Sequence, residues 1–277
     1  MHPRICISGL SAVGKTSLAK NLSKIFEIKY IATSQILLDS AFISGYDSFI
    51  PEERCNHFWL SNKARKFNLQ RIENPKLDKK IDLLMLSYIN KERPIIIDSL
   101  SVPWLLNDGH SCITILLNAR FNIRVMRAWL SGNRDINLLI KGIREKDSQT
   151  REILNNVWGF DIISKKYLNK FDLIVDNSCF DSINDIKKTE TESKEKTFNI
   201  ISTAILLYNQ LRSRNLETKK YHKLLLKFRN LIKFYPDSII SVPDCFLHLS
   251  DQIKKIKWEE RKHVWLKKSF YNQMGSW

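Results

Sequence analysis

Cysteine is scarce: Cys6, Cys55, Cys112, Cys179 and Cys245 are scattered along 277 positions with no CxxC pair among them. A dispersed, odd-numbered set builds no disulfide framework and has no zinc-ligand spacing, which fits a reducing compartment, so a cytoplasmic location is expected. The histidines form no cluster with a nucleophile, and neither His57 nor His110 is expected to act as a catalyst. No apolar run approaches the roughly 18 residues that a bilayer-spanning helix needs. No signal-peptide pattern precedes the first apolar run either, and no membrane partner is expected. A fixed-period repeat is also missing. Acidic residues are in deficit, 29 against 45 Lys and Arg, for a formal net charge of +16. That excess either steers a polyanionic partner or is a solvated basic surface, and composition leaves both open. The length suffices for one large or two modest domains with a substantial core.

The chain is organised around Gly9-Leu10-Ser11-Ala12-Val13-Gly14-Lys15-Thr16, which follows the apolar run Ile5-Cys6-Ile7. After it, Leu18, Leu22 and Ile25 recur at helical spacing, so the segment predicts a buried strand, a glycine-rich turn and an amphipathic helix. Such a turn gathers backbone N–H groups and a helix N-terminus around a phosphate chain, because unpaired donors and the helix dipole favour anions. Gly9, Ser11, Ala12, Val13, Gly14, Lys15, Thr16 and Ser17 are therefore the expected nucleotide-binding set. In it Lys15 reaches the β- and γ-phosphates and the Thr16 hydroxyl is a ligand for Mg²⁺. ATP and Mg²⁺ are the expected cofactors.

Further strands are expected at 28–32, 94–98, 111–117 and 171–176, with helical patterns between them. Strands alternating with helices predict an α/β fold, a parallel sheet with helices on both faces. The carboxyl ends of its strands share one edge, which should gather Gly9, Thr33, Asp98 and Asn118 around a single crevice. Thr33-Ser34-Gln35 is expected to cap a helix starting near Ile36, and Ser131-Gly132-Asn133-Arg134-Asp135 to form a turn. The polar run at 188–197 is expected to be a linker, dividing a domain at 1–187 from a smaller, mainly helical basic domain at 198–277.

Residues 1 to about 180 resemble the P-loop nucleoside monophosphate kinases, and most of all the cytidylate kinase family. The likeness rests on the N-terminal P-loop, Ala32-Thr33-Ser34-Gln35-Ile36, Ile95-Ile96-Ile97-Asp98 with Trp104, and Arg124 with Arg127. Arg144-Glu145-Lys146-Asp147 with Arg151, Trp158-Gly159-Phe160-Asp161 and the run from Tyr167 to Asp176 continue it in order. The resemblance implies a kinase with a five-stranded parallel core, an acceptor-binding helical insert at 39–93 and an arginine-bearing lid at 131–147. It implies ATP- and Mg²⁺-dependent phosphoryl transfer to a nucleotide, nucleoside or related small metabolite. Lys15, Asp98, Arg134 and Arg151, with Arg144 as an alternative to Arg151, are the catalytic candidates it suggests. Arg127 joins the nucleotide-binding set, and Asp98 either joins Thr16 at Mg²⁺ or orients the acceptor hydroxyl. Trp104 and Trp158 are expected in the core rather than against a base.

Two positions depart from that family. Leu37-Leu38 stand where an acceptor-phosphate arginine is usual, and Asp98-Ser99-Leu100-Ser101 lacks the usual Gly-Arg. Losing two charge-assisted phosphate contacts opens the acceptor to a nucleoside, a modified nucleotide or another hydroxyl compound. Beyond the linker the resemblance ends, apart from a faint likeness of 243–261 to a late segment of thymidylate and deoxynucleoside kinases. Lys219, Lys220, Lys223, Lys227, Arg229 and Lys233 oppose Leu224, Leu225, Phe228 and Ile232 on an amphipathic helix. That helix is expected to pack on the core, mediate a homodimer or touch nucleic acid. The competing function is therefore a nucleotide-dependent regulatory or nucleic-acid-binding P-loop protein.

Overall fold

Five short apolar runs pair side by side in the computed structural model of the chain: Arg4–Ser8 (β1), Lys29–Ala32 (β2), Ile95–Asp98 (β3), Cys112–Asn118 (β4) and Leu173–Asp176 (β5). They are parallel, and Ile239–Ser241 (β6) joins β5 antiparallel, giving the order β2-β3-β1-β4-β5-β6. In the register Ile5 lies between Ile96 and Ile113. β3, β4 and β5 are buried along their whole length, as strands covered on both faces must be. The structure describes residues 3–43, 58, 61–91, 94–107, 112–132, 135–178, 186–212, 218–234 and 239–241. His57, His110, Arg134 and the segment 243–261 lie outside them.

The helices are Lys15–Phe26 (α1), Thr33–Ile43 (α2), Asn62–Glu73 (α3), Lys76–Asn90 (α4), Val102–Leu105 (α5), Phe121–Leu130 (α6), Ile136–Trp158 (α7), Lys165–Leu168 (α8), Ile186–Arg212 (α9) and Thr218–Phe234 (α10). α1 buries Leu18, Ala19 and Leu22 but leaves Ile25 exposed, so the expected apolar face is one residue shorter. α2 starts at Thr33 itself instead of being capped by it. α7 is one continuous helix whose N-cap Asp135 accepts from the N–H groups of Asn137 and Leu138. The stretch 136–147 is its first half, and Leu139 and Ile143 are buried there.

Residues 188–197 are not a linker but part of α9. Its Ile200, Ile201, Ala204, Ile205 and Leu207 share one core with Ile5, Ile7, Ile113 and Val175 of the sheet, as do Tyr221, Leu225 and Phe228 of α10. Each fully buried aliphatic side chain is worth about 1.5–3 kcal/mol, so these contacts fix α9 to the sheet whatever its polar first turns prefer. Tyr208 adds a hydrogen bond from its hydroxyl to the Cys112 carbonyl at 3.3 Å. On the other face, Leu37 and Leu38 of α2 pack with Cys6, Ile97, Met85 and Val102.

Candidate active site

The loop from Gly9 to Gly14 turns because three of its residues take positive φ: Gly9 at 148°, Ala12 at 62° and Gly14 at 98°. A Cβ on Gly9 would sit 2.3 Å from the Leu117 carbonyl oxygen, so only glycine lets the loop cross the end of β4 this closely. Lys15 donates from Nζ to the Leu10 carbonyl at 3.0 Å. Two carbonyls of the loop are bonded from behind: Ser11 accepts from Arg124 Nη1 at 3.1 Å, and Val13 accepts from Asn177 Nδ2 at 2.9 Å and Arg127 Nη1 at 3.3 Å. With those carbonyls bound, the loop's amides and the start of α1 are the groups left for an anion.

In front of the loop lies a cavity of about 750 Å³. Gly9, Ser11, Ala12, Gly14, Lys15, Thr16 and Ser17 form one end of it, with Asp98 and Arg127. Thr33 lines it as expected; Asn118 does not, its side chain accepting from the Ala119 N–H and its carbonyl from the Asn177 N–H. Val13 does not line it either, because its side chain is fully buried in the core. The other end is a polar recess between α3, α4 and the turn after β3. There Arg71 makes a bidentate pair with Asp78 at 3.0 and 2.5 Å and donates to Asn68 at 2.7 Å. Asp82 accepts from the Trp158 indole N–H at 2.7 Å.

Burial sets the electrostatics of this cavity. Desolvation raises the Asp98 carboxyl above its ordinary range, against the pull of Lys15 and Lys146. Lys146 is lowered to about 7, first by burial, then by Lys15 and more weakly by Arg71 of the recess, with Asp147 and Asp98 acting the other way. Asp82 is raised to about 6, by burial above all, although hydrogen bonds from Ser101 and Trp158 favour its charged form. Three ionisable groups pushed toward neutrality line one cleft, and this makes it the candidate site.

A sequence profile of the cytidylate kinase-like family matches residues 4–179. The chain belongs to the cytidylate kinase-like family. Among its relatives, a cytidylate kinase of Sulfurisphaera tokodaii is 33% identical over 184 residues, 66% of this chain and 91% of that protein. A cytidylate kinase of Pyrobaculum neutrophilum is 23% identical over 181 residues, 65% of this chain and 86% of the relative. Among solved structures, a shikimate kinase from Acinetobacter baumannii in complex with shikimate aligns over 73% of this chain and 94% of its own, at 11% identity and a TM-score of 0.38. An uncharacterized protein from Eubacterium ventriosum aligns over 70% and 98%, at 12% identity and a TM-score of 0.42.

Family membership makes the chain a P-loop kinase by descent, and its arginines can be placed on that basis. Arg151 does not line the cavity; its guanidinium forms a bidentate pair with Asp161 at 3.0 and 2.7 Å. Arg144 lies 5.2 Å over the Phe121 ring and is likewise outside the lining. Arg124 pairs with Asp147 at 2.6 Å beneath the P-loop. Arg127 lines the cavity but spends its Nε on the Glu190 carboxylate and one terminal nitrogen on the Asn177 carbonyl at 2.7 Å. Trp104 stacks on Phe160 at 4.8 Å, half-buried at the edge of the core. The residue that sequence reasoning missed is Lys146, a half-buried lysine in the field of Lys15 and Asp98. Its signal was its place on α7 seven and three residues after Leu139 and Ile143, which face the same cavity.

Proposed function

We propose that this chain is a phosphotransferase that uses ATP and Mg²⁺ to phosphorylate a nucleotide, nucleoside or related small metabolite. The observation that carries the reading is the grouping of Lys15 and Lys146 with Asp98 at the P-loop end of a cavity with a separate polar recess. Phosphoryl transfer needs positioning and charge neutralisation more than covalent help. The loop amides and Lys15 hold the donor phosphates, Lys146 meets the charge of the transferring group, and Asp98 faces the acceptor.

Thr16 and Asp98 offer hard oxygen donors in that cavity, and no group of three His, Cys, Asp or Glu forms a dedicated metal cage among the described residues. This donor set suits Mg²⁺, which keeps waters and takes one or two protein oxygens beside substrate phosphates. When bound it neutralises charge on the phosphates. In the recess, Asp82 and Ser101 are the groups that meet the acceptor, since the Asn68 amide is bonded to Gln149 and Arg71. Leu38 is committed to the core, Leu37 gives the cavity an apolar wall, and Arg71 is bound to Asp78, so the recess favours a ligand that donates hydrogen bonds to carboxylates.

The test is ADP release from Mg²⁺-ATP across a panel of nucleoside monophosphates, nucleosides and other hydroxyl metabolites, with Lys15→Ala as control. Acceptor-dependent release, lost in Lys15→Ala, is expected. No release with any acceptor, or full activity in Lys15→Ala, refutes the reading.

A further inference from the structure

The family match ends at residue 179, yet α9 reaches back to the P-loop. Glu190, Ser193 and Thr197 recur three and four residues apart on one face of α9, and all are buried. The two Glu190 oxygens accept from Arg127 Nε at 3.2 and 3.0 Å. Ser193 and Thr197 donate to Asn177 Oδ1 at 3.0 and 2.7 Å. Arg127 and Asn177 in turn both donate to the Val13 carbonyl, inside the loop. Glu190, Thr191 and Lys194 also form part of the cavity wall, beside Ala128 and Ser131.

From these bonds we propose that α9 is a brace for the phosphate-binding loop. Glu190, Ser193 and Thr197 are positioning residues that hold Arg127 and Asn177 against Val13, and through them they set the affinity for the donor nucleotide. Without the Glu190 carboxylate, Arg127 is a buried guanidinium short of its counter-ion. It is then drawn to whatever oxygen remains, and the loop loses a fixed contact. The inference rests on the donor site proposed above and adds that residues outside the family's matched range complete it.

The experiment measures the Kd of Mg²⁺-ATP by calorimetry without acceptor, the KM of whichever acceptor proves active, and the thermal midpoint. It uses the full chain carrying Glu190→Gln, Glu190→Asp, Thr197→Val or, as a control on the exposed side of the same helix, Glu192→Gln. Glu190→Gln is expected to weaken ATP about tenfold to a hundredfold, the scale of a lost charge-assisted bond to a buried group. Thr197→Val weakens it less, Glu190→Asp recovers part of the loss, and Glu192→Gln binds as wild type. Acceptor KM stays within about twofold throughout, since the brace ends at the P-loop. Adding Glu190→Gln to Arg127→Met costs nothing further if the effect travels through Arg127. The inference is overturned if folded Glu190→Gln binds ATP like wild type, or if donor and acceptor binding fall together with the thermal midpoint. Wild-type protein that does not bind ATP overturns the kinase reading, and this inference with it.

Discussion

Asp82 is a carboxylate that the fold holds at a cost, and replacing it by asparagine should stabilise the protein while impairing it. The side chain is 5% exposed and its folded pKa is about 6, against 3.8 for the free group. Both states are protonated below about pH 3, so Asp82 contributes almost nothing there. As pH rises the unfolded chain ionises first, stability falls through the window between the two values, and the cost is complete above about pH 7. A carboxyl raised this far costs about 3 kcal/mol at pH 8 and about 1 kcal/mol at pH 4.5. Asp82→Asn keeps an acceptor for the Trp158 N–H at 2.7 Å, and its new amide can donate to the Ser101 hydroxyl. The expected outcome is a gain of up to about 3 kcal/mol at pH 8, or roughly 2–4 °C in thermal midpoint per kcal/mol, shrinking to about a third at pH 4.5. In the same variant the acceptor KM rises about tenfold and the ATP KM stays within about twofold, because Asp82 lies at the recess end of the cavity. Thermal melts at the two pH values and a two-substrate kinetic analysis check both halves. Equal midpoint shifts at the two pH values, or a destabilised variant at pH 8, would refute the reasoning.

Lys146→Met should lower kcat by about 10²–10³, the usual loss when one transition-state charge contact goes, and Lys146→Arg should retain most of the activity. Arg151→Ala should cost less than about threefold, since its pair with Asp161 is a third exposed and does not line the cavity; steady-state rates at saturating ATP compare the three. Gly9→Ala combines φ of 148° with a 2.3 Å approach to the Leu117 oxygen, and about 1–3 kcal/mol of strain should weaken ATP binding tenfold or more, read by calorimetry together with the thermal midpoint.

The sheet and the P-loop are legible because their signals are local. A β-branched run, a glycine turn and a lysine before a helix face the same constraints in almost any protein, so Ile5 to Thr16 announce both fold and ligand. The arginines are harder, because a guanidinium serves a phosphate or a carboxylate equally well. Only the placement of Asp161 decides Arg151, and only that of Glu190 decides how Arg127 is held. The run at 188–197 deceives for a related reason. Glu190, Ser193 and Thr197 form a stripe at helical spacing, but it is polar, and a polar stripe on a charged segment looks solvated unless its buried partners are known.

The two leucines at 37 and 38 follow from the same physics. An arginine at position 38 would place a cation in the cluster formed by Cys6, Met85, Ile97 and Val102, away from water, whereas Leu37 also lines the cavity. At position 38 the apolar packing of α2 and the absence of an arginine are therefore one feature seen from two sides. What takes over is a difference along the cavity: ammonium groups Lys15 and Lys146 at the P-loop end, and Asp82 beside the internally paired Arg71 and Asp78 in the recess. Such a field favours a ligand with its phosphates toward the loop and its donor groups toward Asp82. On the proposed function, acceptor choice is expected to depend more on hydrogen-bond donors at the recess end than on a second phosphate clamp, and for that reason Asp82, rather than an arginine, is the residue at which acceptor specificity should change first.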